Sequence, residues 1–218
     1  MKRPASTKSG AFFFVLLLLL TSCGQQKTAK PGDILIIGDS LTAGYGLDDP
    51  ETQAWPALIE KAWKDEQFLA PEQHIINAGV SGDTTEGALD RLPELLRDHT
   101  PSTVVIALGS NDIRRPGGNR IMYQNLDKMV RMAKEEGAVV LLVGVDLPTP
   151  LAIAARGEPN RTIAEVAEAN GSQMATIPLD TITSDRHMLA DQIHPARAGQ
   201  PTIQEAIEPV LRQIVAQE

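Results

Sequence analysis

Two hydrophobic patterns alternate along this chain. Short unbroken apolar runs, each stopped by glycine or polar residues, are followed by longer stretches in which apolar residues recur every three or four positions. The first pattern fits a strand covered on both faces, and the second fits an amphipathic helix. Residues 33–41, DILIIGDSL, open the series: Ile34, Leu35, Ile36 and Ile37 stop at Gly38, which predicts a central parallel strand with Ser40 just past its carboxyl end. Residues 42–53 contain Gly44, Gly46 and Pro50 and read as a loop. In residues 54–68, Trp55, Leu58, Ile59, Ala62 and Trp63 share one helical face, with Glu60, Lys61, Lys64 and Asp65 outside.

The alternation continues to the carboxyl terminus. HIINA, 74–78, is a second strand, and the loop GVSGDTT after it offers Thr84 or Thr85 as a helix cap. A helix over 87–99 carries Leu89, Leu92, Leu95 and Leu96, with Pro93 predicting a kink or a later start. TVVIAL, 103–108, is a strand ending at Gly109-Ser110-Asn111-Asp112. A basic loop over 113–120 leads into a helix over 121–136 that Gly137 closes. Strands over 138–145 and 174–177 flank a proline-rich irregular stretch, 146–159, and a helix, 161–169. A polar loop, 181–199, precedes a closing helix, 202–217, with Ile203, Ile207, Leu211 and Ile214 inward. These elements predict an α/β, three-layer, flavodoxin-like fold with a five-stranded parallel sheet between helices. Right-handed crossovers bring the polar ends of the first three strands to one edge of the sheet, where open α/β folds bind ligands.

The amino terminus does not belong to that domain. Lys2, Arg3 and Lys8 precede AFFFVLLLLL, an apolar run too short to span a bilayer and suited to a signal sequence. Leu20-Thr21-Ser22-Cys23 follows and resembles the bacterial lipobox, which implies lipidation of Cys23, the chain's one cysteine. A lone cysteine also excludes an internal disulfide. The expected organisation is a lipoprotein signal peptide over 1–22, a lipidated polar tether over 23–32 and a single folded domain over 33–218. Losing the leader leaves 17 basic against 28 acidic residues, a net charge near −11, which argues against nucleic acid as a partner. Acyl chains on Cys23 are then the expected membrane attachment. Gly24, where some bacteria read aspartate as a retention signal, resembles sorting to the outer membrane facing the periplasm.

The strand ends supply Ser40, Gly82 and Asn111, and the late loop supplies Asp191 and His194. Taken singly these have plainer readings: Ser40 as a helix N-cap, His194 as a loop histidine, Asp191 as a cap. Taken together they furnish acyl transfer. A serine nucleophile needs a base that works near neutral pH, and a carboxylate three residues before a histidine reaches the ring's other nitrogen. Backbone N–H groups at Ser40 and Gly82 and the Asn111 amide provide donors for the developing oxyanion.

At this point the sequence resembles the SGNH or GDSL hydrolases in four blocks in the family's order: GDSL at 38–41, NAGVSGDTT with Gly82, GSND at 109–112 and DQIH at 191–194. IIGDSLTAGYG, AWPALI and NAGVSGDTTEGALDRLPELL place the likeness nearest the bacterial periplasmic thioesterase, lysophospholipase and arylesterase branch. The resemblance implies Ser40 as nucleophile, Asp191 and His194 completing a triad, and Ser40, Gly82 and Asn111 as oxyanion hole. The third block reads LGSND where that branch commonly has LGGND. Residues 147–160 lack the tyrosine-bearing sequence of its substrate loop.

The implied activity is hydrolysis of carboxylic ester or thioester bonds of lipidic or aryl acyl substrates through an acyl-enzyme, with no cofactor and no metal. No protein partner is inferred. An O-acetyl esterase acting on cell-wall or polysaccharide carbohydrate is the alternative, and a non-catalytic envelope scaffold the third reading. There is no G-x-S-x-G elbow and no P-loop. Asp39 and Asp83 read as turn-forming acids, and Arg114, Arg115 and Arg120 as a solvated basic loop.

Overall fold

A computed structural model describes residues 32–114, 117–148, 159–182 and 184–217 of the chain. Five parallel strands, β1 (Ile34–Gly38), β2 (Ile75–Gly79), β3 (Thr103–Ala107), β4 (Val139–Val145) and β5 (Gln173–Ile177), lie in the order β2-β1-β3-β4-β5. This is the expected three-layer, doubly wound arrangement. β1 sits inside the sheet, and its Gly38 is in register with Gly79 on one side and Ala107 on the other. The order reverses between β1 and β3, so the crevice at their carboxyl ends is the place where such sheets hold ligands.

The unbroken apolar runs follow from coverage of both faces. Ile34 and Ile36 turn one way, into a core with Val105, Leu141, Trp55, Ile59 and Trp63 of α3 (Trp55–Asp65), and Ile203, Ile207 and Leu211 of α7 (Gln200–Val215). Leu35 and Ile37 turn the other way. They meet Leu92 and Leu96 of α4 (Thr85–His99), Met122 and Leu126 of α5 (Gly118–Glu135), and Ile163 and Val166 of α6 (Pro159–Asn170). A strand whose alternate residues both need apolar partners cannot show a polar stripe.

Several boundaries differ from the sequence reading, each for a local reason. Residues 42–53 are not all loop: α1 (Ser40–Ala43) and α2 (Pro50–Gln53) are single helical turns, too short to show periodicity. α4 runs from Thr85 through Pro93 to His99, because the Thr84 hydroxyl accepts the Gly87 N–H and starts the helix two residues before the first leucine-bearing turn. α5 begins at Gly118, so Arg120 lies in a helix and not in a loop. α7 begins at Gln200, after a 3-10 turn at Arg197–Gly199.

The signal and Cys23 tether expectations, Arg115 and most of the 147–160 segment lie outside the described residues, as does the side chain of Arg114. Among the described residues no helix is long and apolar enough to cross a membrane.

Candidate active site

The turn that carries Ser40 is built on a glycine and an aspartate. A Cβ on Gly38 would stand 2.1 Å from the Thr42 hydroxyl oxygen, so only glycine lets α1 fold back over the end of β1. Asp39 caps the turn, its Oδ1 accepting the Leu41 N–H at 3.0 Å. Ser40 is thereby the first residue of α1 and Asp39 its cap, the reverse of the plainer reading of Ser40.

His194 arrives on a fastened loop. Met188 and Pro195 form an antiparallel bridge, the Leu189 N–H donates to the His194 carbonyl at 2.8 Å, and the Ala196 N–H donates to the His187 carbonyl at 2.8 Å. Buried Gln200 ties this loop to α3, donating to the Pro195 carbonyl at 3.0 Å while accepting the Trp55 N–H at 3.1 Å. The result is a short relay: Ser40 Oγ stands 2.9 Å from His194 Nε2, and His194 Nδ1 stands 2.7 Å from Asp191 Oδ2. Asp191 Oδ1 also accepts the Ile193 and His194 backbone N–H groups at 2.9 and 3.0 Å. Partial desolvation pushes the Asp191 carboxyl up, but the His194 backbone N–H, the His194 ring and the Ile193 N–H outweigh it and hold the carboxyl at about 2.

An ionised Asp191 fixes the imidazole with its proton on Nδ1, leaving the Nε2 lone pair towards Ser40. This is the arrangement a serine nucleophile needs.

The oxyanion candidates come from the neighbouring strand ends. Gly82 lies in the turn Val80–Asp83, closed by the Asp83 N–H to the Val80 carbonyl at 3.0 Å, with φ +81°. A positive φ at the third position is the signature of a type II turn, which gives a conformational reason for glycine there. Asn111 Nδ2 donates to the Asp83 carbonyl at 2.8 Å, tying the loops after β2 and β3 together, and stands 3.5 Å from Asp39 Oδ2 in the turn after β1. Asp83 is further held by the Nε and Nη2 of Arg91 at 3.0 and 2.8 Å.

The structure thus brings Ser40, His194 and Asp191 into direct contact and sets Gly82 and Asn111 on adjoining loops at the same sheet edge. Arg120 points along its own helix, donating to Gln124 at 3.5 Å. Among the described residues no cluster of histidine, cysteine or acids suits a metal ion.

Sequence reasoning missed three contributors. Buried Asp112 accepts the Thr85 N–H at 3.1 Å and the Thr85 hydroxyl, pinning the third loop to the positive end of α4. The Tyr45 ring packs on the His194 ring with centroids 4.6 Å apart. Ser110 donates its hydroxyl to Asp39. Asp112 and Ser110 were visible inside the GSND block, but only the fold shows what they touch. Tyr45 carried no local signal.

Comparison with known proteins identifies the family to which the fold belongs. The model of the GDSL-like Lipase/Acylhydrolase family matches residues 36–200. Esterase TesA of Pseudomonas aeruginosa is 38% identical over 200 residues, covering 91% of this chain and 94% of that protein. Thioesterase 1/protease 1/lysophospholipase L1 of Escherichia coli is 31% identical over 211 residues, covering 93% and 92%. The crystal structure of the psychrotrophic esterase EstA from Pseudoalteromonas sp., inhibited by monoethylphosphonate, superposes with a TM-score of 0.74. It is 28% identical, covering 84% of this chain and 97% of that one.

Proposed function

Since this chain belongs to the GDSL-like lipase/acylhydrolase family and is a serine ester hydrolase, we propose that Ser40, His194 and Asp191 are its nucleophile, base and orienting acid. The observation that carries the proposal is the unbroken relay from Ser40 Oγ through the two ring nitrogens to Asp191, at 2.9 and 2.7 Å.

The reaction runs in two halves. Ser40 Oγ bonds to the acyl carbon as its proton passes to His194 Nε2. The charge that gathers on the carbonyl oxygen is met by the backbone N–H groups of Ser40 and Gly82 and by Asn111. The bond to the alcohol or thiol then breaks, and His194 returns the proton to the leaving group. Water repeats the sequence on the acyl-enzyme, releasing the acid and restoring Ser40. No step calls for a cofactor.

The substrates are carboxylic esters or thioesters of lipidic or aryl acids. The name of the Escherichia coli relative supports thioester and lysophospholipid substrates, and exposed Tyr45, Val80 and Ile193, each close in sequence to a site residue, support an apolar acyl group at the mouth. Hydrolysis of p-nitrophenyl esters from acetyl to palmitoyl by the detergent-solubilised chain tests this. The rate should rise from acetyl towards medium or long chains. Activity confined to acetyl would replace this reading with a carbohydrate O-acetyl esterase, and no turnover of any ester would leave only the scaffold.

The lipobox-like tetrad ending at Cys23 supports a protein lipidated there and held at the cell envelope, at the outer membrane facing the periplasm. Metabolic labelling with a fatty-acid analogue should mark the wild-type chain and not Cys23→Ala. Equal labelling of both would remove the anchor from Cys23.

A further inference from the structure

We propose that Ser110 is a positioning residue for ester cleavage: its hydroxyl occupies the Asp39 carboxylate and so leaves one N–H of the Asn111 amide for the substrate oxyanion. The inference rests on Asn111 acting as an oxyanion donor. It concerns the position at which this chain carries a hydroxyl and the branch it resembles commonly carries glycine.

One buried acid sets the demand for hydrogen-bond donors here. Asp39 is 2% exposed. An ionised carboxylate only accepts, and an oxygen left without a donor in such a place is costly. Oδ1 has the Leu41 N–H at 3.0 Å. Oδ2 has the Ser110 hydroxyl, while Asn111 Nδ2 stays back at 3.5 Å, the outer limit of a hydrogen bond. Asn111 has two amide protons, and the Asp83 carbonyl takes one at 2.8 Å. The other is the only one left to meet a substrate, and Asp39 Oδ2 is its competitor.

With Ser110 in place the competitor is satisfied. Burial pushes the Asp39 carboxyl up, and the Ser110 hydrogen bond leads the interactions that draw it back down, ahead of the Leu41 N–H and the charge of His194. Remove the hydroxyl, and the nearest replacement donor for Oδ2 is the Asn111 amide. Closing the 3.5 Å gap would turn that N–H towards Asp39 and away from the reacting carbonyl.

A structural role for Ser110 would not require Asn111, so the test is a double-mutant cycle. Ser110→Ala and Ser110→Gly are each made with Asn111 present and in an Asn111→Ala background. Values of kcat and KM on p-nitrophenyl butyrate are read alongside thermal unfolding. With Asn111 present, kcat should fall about tenfold, as for the loss of one well-placed hydrogen bond, with KM within about twofold. Ser110→Thr should restore most of the lost rate. In the Asn111→Ala background the same substitutions should cost nothing further. An unchanged kcat, a loss expressed in KM alone, or equal losses in both backgrounds would overturn the proposal. If Asn111→Ala alone keeps the full rate, Asn111 is no oxyanion donor and this inference falls with that assignment. If Asn111→Ala is impaired while the Ser110 variants are not, only the role of Ser110 falls.

Discussion

Ser40→Ala should lower kcat on an activated ester by at least about 10⁴-fold, with thermal unfolding essentially unchanged. The size of the effect follows from what remains. Without Oγ no acyl-enzyme forms, and His194 Nε2, which stands 2.9 Å from that oxygen in the wild type, is left to act on water in a site shaped for serine. The oxyanion donors stay in place and keep a residual rate above that of solution. The fold has little to lose, because the turn is fixed by Gly38 against Thr42 and by the Asp39 cap and not by the serine hydroxyl. A variant that turns over at more than a few per cent of the wild-type rate would remove Ser40 from the mechanism.

Asp191→Asn should cost about 10³- to 10⁴-fold in kcat, for a different reason. Asparagine can still accept the Ile193 and His194 backbone N–H groups through its oxygen, so the loop keeps its shape. Its NH₂ group then faces Nδ1, where the carboxylate sat at 2.7 Å. A donor there favours the imidazole with its proton on Nε2, the nitrogen that must accept from Ser40. The charge that would stabilise the imidazolium is lost as well. Steady-state kinetics near neutral pH check this, and a loss below about tenfold would mean that His194 is oriented by the loop alone.

Asp191 carries a second signature, in stability. Its carboxyl is held at about 2 against an ordinary value of 3.8, so the stability it contributes is fully present above pH 3.8 and is lost as pH falls through about 2. Asp191→Asn should flatten that acid-side slope. The slope is small, since the side chain is 38% exposed and solvent screens much of the interaction. The same depressed value keeps Asp191 ionised at the near-neutral pH where the rate is measured.

Much of this was legible in the sequence because the two signals involved are local. β1 and β3 read as strands since every position in them needs an apolar neighbour on one face or the other, and Trp55 and Trp63 read as core from their spacing on one helix. The grouping of Ser40, His194 and Asp191 was legible because Asp191 and His194 are three residues apart and Ser40 stands just past the end of β1. Short turns were not legible: α1 and α2 have four residues each, about one helical turn, too few for a 3.6-residue period to repeat. Nor was the network around Asp39. Its bond to Ser110 and the approach of Asn111 span more than 70 positions, and only the adjacency of β1 and β3 brings them together. Tyr45 is the same kind of case, since its contact with His194 joins opposite ends of the domain.

The most direct test of the central claim is intact-mass and peptide-mapping analysis of the wild-type chain after treatment with an alkyl phosphonate that mimics the tetrahedral intermediate. The account predicts one covalent phosphonyl adduct, mapped to Ser40, forming in step with loss of esterase activity and absent from Ser40→Ala. Inactivation with the adduct on any other residue, or esterase activity that survives full labelling of Ser40, would contradict it.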